Sequence, residues 1–151
     1  MRLTIIAVGR PKAGPLKALQ EFYAERIRWP LAIREVEERR KLSPGELKRR
    51  EAELILDAVP KDAVLIALDA RGKNLSSVDL AQRLARWREA DATLTFAIGG
   101  AGGLDDSILD KAKLVLSLGL MTWPHLLVRG MLLEQIYRAQ QILAGHPYHR
   151  E

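Results

Sequence analysis

The sequence predicts an α/β fold, a mostly parallel sheet with helices on both faces, as a single domain over residues 1–151. Three observations lead there. Short apolar runs such as LTIIAV, AVLIAL and LTFAI are continuous rather than alternating, as expected of strands covered on both faces. Between them lie segments with helical spacing and helix-start signals. The two kinds take turns along the chain, which favours parallel strands joined by helical crossovers.

RLTIIAV (2–8) reads as the first buried strand, and a helix follows from about Gly14 to Arg28, before Pro30. LAIREVE (31–37) alternates like a half-buried strand. Ser43-Pro44-Gly45-Glu46 supplies a cap, a proline at the first helical position and a glutamate three residues on, opening a helix to about Ala58. AVLIALD (63–69) is a central strand. A helix from Ser77 to Glu89 leads to TLTFAIGG (93–100), another central strand. A short helix near Asp105–Asp110 precedes KLVLSLG (113–119), the last strand. The final helix spans about Pro124 to Ala144, with an apolar face through Leu127, Met131, Leu132, Gln135 and Ile136. It is apolar over more than a narrow stripe, and pairing with a second copy is the simplest way to cover it.

Composition excludes several classes. With 48% hydrophobic and 28% charged residues, the chain is too apolar to be disordered and long enough to bury a core. It has no cysteine, which rules out a disulfide framework and cysteine-ligated metal and fits a reducing cytoplasm. The N-terminal apolar run is too short for a signal peptide. The longest uncharged stretch, Leu114 to Val128, is fifteen residues, against about 20 for a membrane span. A net charge of +5 permits contact with nucleic acid. Residues 1–20 hold Arg2, Arg10, Lys12 and Lys17 and no acid, whereas REVEERRK and ELKRREAE alternate in sign like a solvated, salt-bridged surface.

Ligands of parallel sheets bind beyond the carboxyl ends of the strands. Here those ends carry Asp69-Ala70-Arg71-Gly72, the GGAGG of 99–103, and Gly119 to Pro124. The familiar nucleotide motifs fail. From Gly9, GRPKAGPL has Pro15-Leu16 where a P-loop needs lysine and a hydroxyl. In GGAGG, the third glycine of a dinucleotide fingerprint would fall at Asp105. No metal is expected. His125, His146 and His149 are the only histidines, and Pro147 keeps the last two from forming a regular helical pair. What remains is a pocket of backbone and aliphatic walls, suited to a ligand with an adenine and an amino-acid part.

LDARGK (68–73), IGG-x-x-G (98–103), LSLGLMTWPHLLVR (116–129), EQIYRA (134–139) and the closing HPYHRE resemble, in order and over the whole chain, the ribosomal RNA large subunit methyltransferase H family of the SPOUT class. The resemblance implies a C-terminal trefoil knot, bound S-adenosylmethionine, a homodimer, and methylation of N3 of a pseudouridine in 23S rRNA on assembled ribosomes. It places the cofactor at Leu68, Gly100 and the run Gly119, Leu120, Met121, Thr122, Trp123 and Pro124. For catalysis it points to the tail. Tyr148 offers a plane or a phenol to an extruded base, His149 is a candidate base, and Arg150 and Arg138 are candidate phosphate clamps. Where relatives often have GG-P-E-G, this chain has Ala101 and Gly102, so no acid is assigned there. Trp123 stands where a smaller apolar residue is common, and either stacks on the cofactor or packs at a dimer seam. Two alternatives stay open: a non-catalytic ribosome-binding factor of the same fold, and a tRNA methyltransferase.

Overall fold

The computed structural model describes residues 1–150; Glu151, the last residue of the tail motif, lies outside the described residues. Strands β1 (Arg2–Val8), β2 (Leu31–Val36), β3 (Val64–Asn74), β4 (Thr93–Ile98) and β5 (Leu114–Ser117) form one sheet in the order β2-β1-β4-β3-β5. Every neighbouring pair is parallel. Helices α1 (Pro15–Ala24), α2 (Pro44–Ala58), α3 (Ser77–Glu89), α4 (Asp106–Lys111) and α5 (His125–Leu143) make the crossovers and the C-terminal element. None is long and apolar enough to cross a membrane.

Continuous apolar strands feed two cores because successive side chains point to opposite faces. Ile5 and Phe96 join Leu80 and Leu84 of α3 and Leu132, Leu133 and Ile136 of α5 on one face. Ile6 and Ala97 join Ala52 and Ile55 of α2 and Ile108 of α4 on the other. The chain therefore leaves β1 toward one face and β4 toward the other. These strands are neighbours, so their carboxyl ends flank a topological switch point, where α/β sheets open a crevice.

The element order matches the sequence reading, while two boundaries and the buried face of one helix differ. α1 ends at Ala24 rather than near Arg28. The Arg26 guanidinium lies 3.6 Å from the Phe22 ring centre and donates to the Phe22 carbonyl at 2.6 Å, while Ile27 turns into the core. β3 runs on to Asn74: Leu68 and Lys73 both pair with Leu116, so Asp69–Gly72 bulges out and the strand then resumes. The charged and glycine residues of that bulge look like a strand end in sequence. On α5 the buried residues are Arg129, Gly130, Leu132, Leu133, Ile136, Ala139 and Gln140, while Leu127, Met131 and Gln135 of the expected face are half-buried. This helix packs on α1 and α3 as well as the sheet, which spreads burial around its circumference. A side chain at Gly130 would begin 2.5 Å from Leu19 Cδ2, so the glycine sets how closely α1 approaches.

The start of α2 is as expected, with the Ser43 hydroxyl accepting from the Glu46 N–H at 3.3 Å. Glu38 accepts from Arg40 and Arg50, and Arg50 also donates to Glu53, which makes the charged middle of the chain the ion-paired surface its pattern predicts. Glu51 departs from that pattern and is buried.

Candidate active site

A cavity of about 200 Å³ opens beside the β3 bulge and the ends of β4 and β5. Of the residues expected at the cofactor, Leu68, Gly100, Gly119, Met121, Thr122 and Trp123 line it, joined by Ile98, Leu118 and Val128. Leu120 is 86% exposed instead, and Pro124 stands at the N-cap of α5 with φ −56°. The loop between β5 and α5 is folded by its own hydrogen bonds. The Ser117 hydroxyl accepts from the Gly119 N–H at 3.1 Å and donates to the Gly119 carbonyl at 3.0 Å. Gly119 itself has φ +115°, a region that favours glycine. The Trp123 indole N–H reaches back to the Leu118 carbonyl at 3.3 Å, so this ring closes the loop and forms part of the cavity wall.

GGAGG is a tight turn whose Gly103 N–H donates to the Gly100 carbonyl at 3.0 Å. A side chain at Gly99 would begin 2.7 Å from the Gly103 carbonyl carbon. The turn has no room for one. Such walls suit a flat apolar heterocycle approached by main-chain groups. The cavity is smaller than the ~300–1,000 Å³ of ordinary ligand pockets, so it holds only part of a nucleoside with an amino-acid tail.

Arg129 bolts this region together. Its guanidinium is buried and donates to Glu35 at 2.5 Å, to the Val8 carbonyl at 3.0 Å and to the Gly9 carbonyl at 2.6 Å. One side chain thus joins α5 to the ends of β1 and β2. One turn earlier, His125 lies beside Gly9, 3.6 Å from where a side chain there would start. Burial, then the Arg129 charge, pushes its imidazole pKa down, which favours the neutral ring. Among the described residues no cluster of His, Cys, Asp or Glu is arranged to hold a metal. At the β3 bulge, Asp69 accepts from the Arg71 backbone and guanidinium at 2.8 and 2.9 Å, and this arginine holds the carboxyl below its usual range.

Three of the four tail-side candidates, Arg138, Tyr148 and His149, gather elsewhere, around Glu134, which the sequence reading missed. Glu134 Oε1 accepts from Arg138 Nε at 2.9 Å and from the Tyr148 hydroxyl at 2.9 Å. Arg138 Nη1 lies 3.2 Å from His149 Nδ1, and its guanidinium stands 4.8 Å from the Tyr148 ring centre. The Tyr137 ring meets Tyr148 edge-on, also at 4.8 Å. Burial, then the Glu134 carboxylate, raises the Tyr148 phenol well above its usual pKa, so it stays protonated and donates. Arg150 is exposed. None of these four lines the loop cavity. Glu134 lines a neighbouring cavity of about 550 Å³, which shares Leu118 and Gly119 with it. The glutamate's spacing gave a signal: it sits four residues before Arg138, the separation that puts two side chains on one helix face.

The five-stranded all-parallel sheet with helices on both faces has the fold of methyltransferases of the SPOUT class. The family model described as "Predicted SPOUT methyltransferase" matches residues 1–149, and the chain belongs to that family. It is 57% identical over 151 residues to a protein of Rhodospirillum centenum named ribosomal RNA large subunit methyltransferase H, covering 99% of each. The protein of that name in Paramagnetospirillum magneticum is 50% identical, again with 99% of each covered. A probable methylase family protein from Haemophilus influenzae shares the fold with a TM-score of 0.58 at 11% identity, over 99% of this chain and 70% of its own. The SpoU methyltransferase AviRb from Streptomyces viridochromogenes, solved with AdoMet, gives 0.51 at 14% identity, over 94% of this chain and 61% of its own.

Proposed function

We propose that this chain transfers a methyl group from S-adenosylmethionine to ribosomal RNA of the large subunit, at N3 of a pseudouridine in 23S rRNA. The observation that carries the reading is the meeting of Leu68, Gly100 and the Gly119–Trp123 loop around one apolar cavity, in a chain so similar along its length to relatives of that name. When bound, S-adenosylmethionine supplies a methyl on a positively charged sulfur, open to in-line attack by nitrogen.

The residues then divide the work. Leu68, Leu118 and Met121 wall the adenine. Thr122 hydrogen-bonds the cofactor, and Gly100 leaves space for backbone approach. Tyr148 and His149 face the RNA base, the first as donor and stacking surface and the second as the candidate base. Arg150 binds phosphate. Arg138, already held by Glu134, acts as a positioning residue for Tyr148 and His149. The tail is separate from the loop cavity within one chain, which supports a homodimer whose protomers share each RNA site. The reading further includes a trefoil knot in the C-terminal part, a cytoplasmic location and assembled ribosomes as substrate.

The test is incubation with methyl-labelled S-adenosylmethionine and three substrates: ribosomes lacking the modification, free large-subunit RNA, and bulk tRNA. Label in a 23S pseudouridine, strongest on whole ribosomes, is the expected result. Label confined to tRNA, or none, contradicts the proposal.

A further inference from the structure

At the switch point between β1 and β4 lies a third cleft, of about 380 Å³. It meets the loop cavity at Gly100, Ala101 and His125. Its walls carry Glu37, Glu38, Lys48 and Glu51. Two of the carboxylates are compensated: Glu38 by Arg40 and Arg50, and Glu37 by Arg39 at 3.9 Å.

Glu51 is different. The residue is 9% exposed, and its side chain makes no hydrogen bond or ion pair with another described residue. Its oxygens lie 3.1 and 3.4 Å from the point where a side chain on Gly100 would begin. Any residue larger than glycine at position 100 would crowd this carboxylate against the turn. Burial pushes its pKa up, and no neighbouring cation counters the shift. Its carboxylate is therefore unpaired on the wall of the cleft, at the carboxyl ends of the strands, where a ligand cation could reach it.

The loop cavity is too small for a whole nucleoside–amino acid, and the turn beside it, with Ala101 and Gly102, carries no acid. We propose that the cleft receives the methionine end of S-adenosylmethionine, with Glu51 accepting hydrogen bonds from its ammonium group and Lys48 facing its carboxylate. This rests on the cofactor reading above. It assigns to α2, a helix outside the loops that form the cavity, the selection of a zwitterionic amino-acid tail.

Calorimetry with two ligands tests it. S-adenosylhomocysteine keeps the amino-acid end, and 5′-methylthioadenosine lacks it. Glu51→Gln is expected to weaken the first about tenfold, the effect of one charge-assisted hydrogen bond, and to leave the second unchanged. Equal weakening of both, or of neither, overturns the assignment. If the variant fails to fold, the wild-type protein still decides: deaminated S-adenosylhomocysteine must bind about tenfold more weakly than the parent, and equal binding overturns the proposal. A wild-type protein that binds none of these ligands overturns the cofactor reading itself, whereas tight binding without discrimination removes only the role of Glu51.

Discussion

In the loop cavity most of the shape comes from backbone: a turn with no room for a side chain at Gly99, a left-handed Gly119, an indole returned to a carbonyl. Around Glu134 the shape comes from long polar side chains on one helix and a tail, tied by a shared carboxylate. A backbone-built pocket is fixed by the fold and tolerates change in the side chains around it. A pocket built from charged side chains depends on every partner, since removing one leaves another unpaired. The two regions should therefore respond to mutation in different quantities, affinity and stability in the first and turnover in the second.

The largest effect on stability belongs to Arg129, which supports the backbone region from behind. Arg129→Met strands Glu35 and the carbonyls of Val8 and Gly9. Breaking a buried pair of this kind costs about 3 kcal/mol, and urea denaturation should show it as a lower midpoint with weaker cofactor binding. An unchanged midpoint would mean that the ends of β1 and β2 hold without the guanidinium.

A smaller effect is expected at Tyr148. Tyr148→Phe keeps the contact with Tyr137 and loses the hydrogen bond to Glu134. Loss of one hydrogen bond of about 1.4 kcal/mol corresponds to roughly tenfold slower methyl transfer, with S-adenosylhomocysteine affinity unchanged. Lost affinity with intact turnover would reverse the division between the regions.

Most of the fold was legible because its signals are local. Continuous apolar runs gave the strands, Ser43-Pro44 gave the start of α2, and the alternation gave the parallel sheet. The bulge at Asp69–Gly72 was not, since strand resumption depends on pairing with β5, about forty residues away. The loops that line the cavity could be read as strand-end glycines and a proline before a helix. The tail's role came only from its resemblance to a family, because nothing local says that Tyr148 will reach Glu134. Two residues were hidden by their surroundings. Arg129 lies in an apolar helix, where a lone arginine reads as a surface residue. Glu51 lies inside ELKRREAE, where charge alternation implies solvent on every position, yet its place on α2 turns it under Gly100.

The division is tested most directly by a chain ending at residue 145, compared with the full protein in three measurements. The truncated chain is expected to sediment as the full-length protein does, to bind S-adenosylhomocysteine with unchanged affinity, and to transfer no methyl to ribosomes. Full methyl transfer by that chain, or loss of cofactor affinity with the tail, would contradict that division.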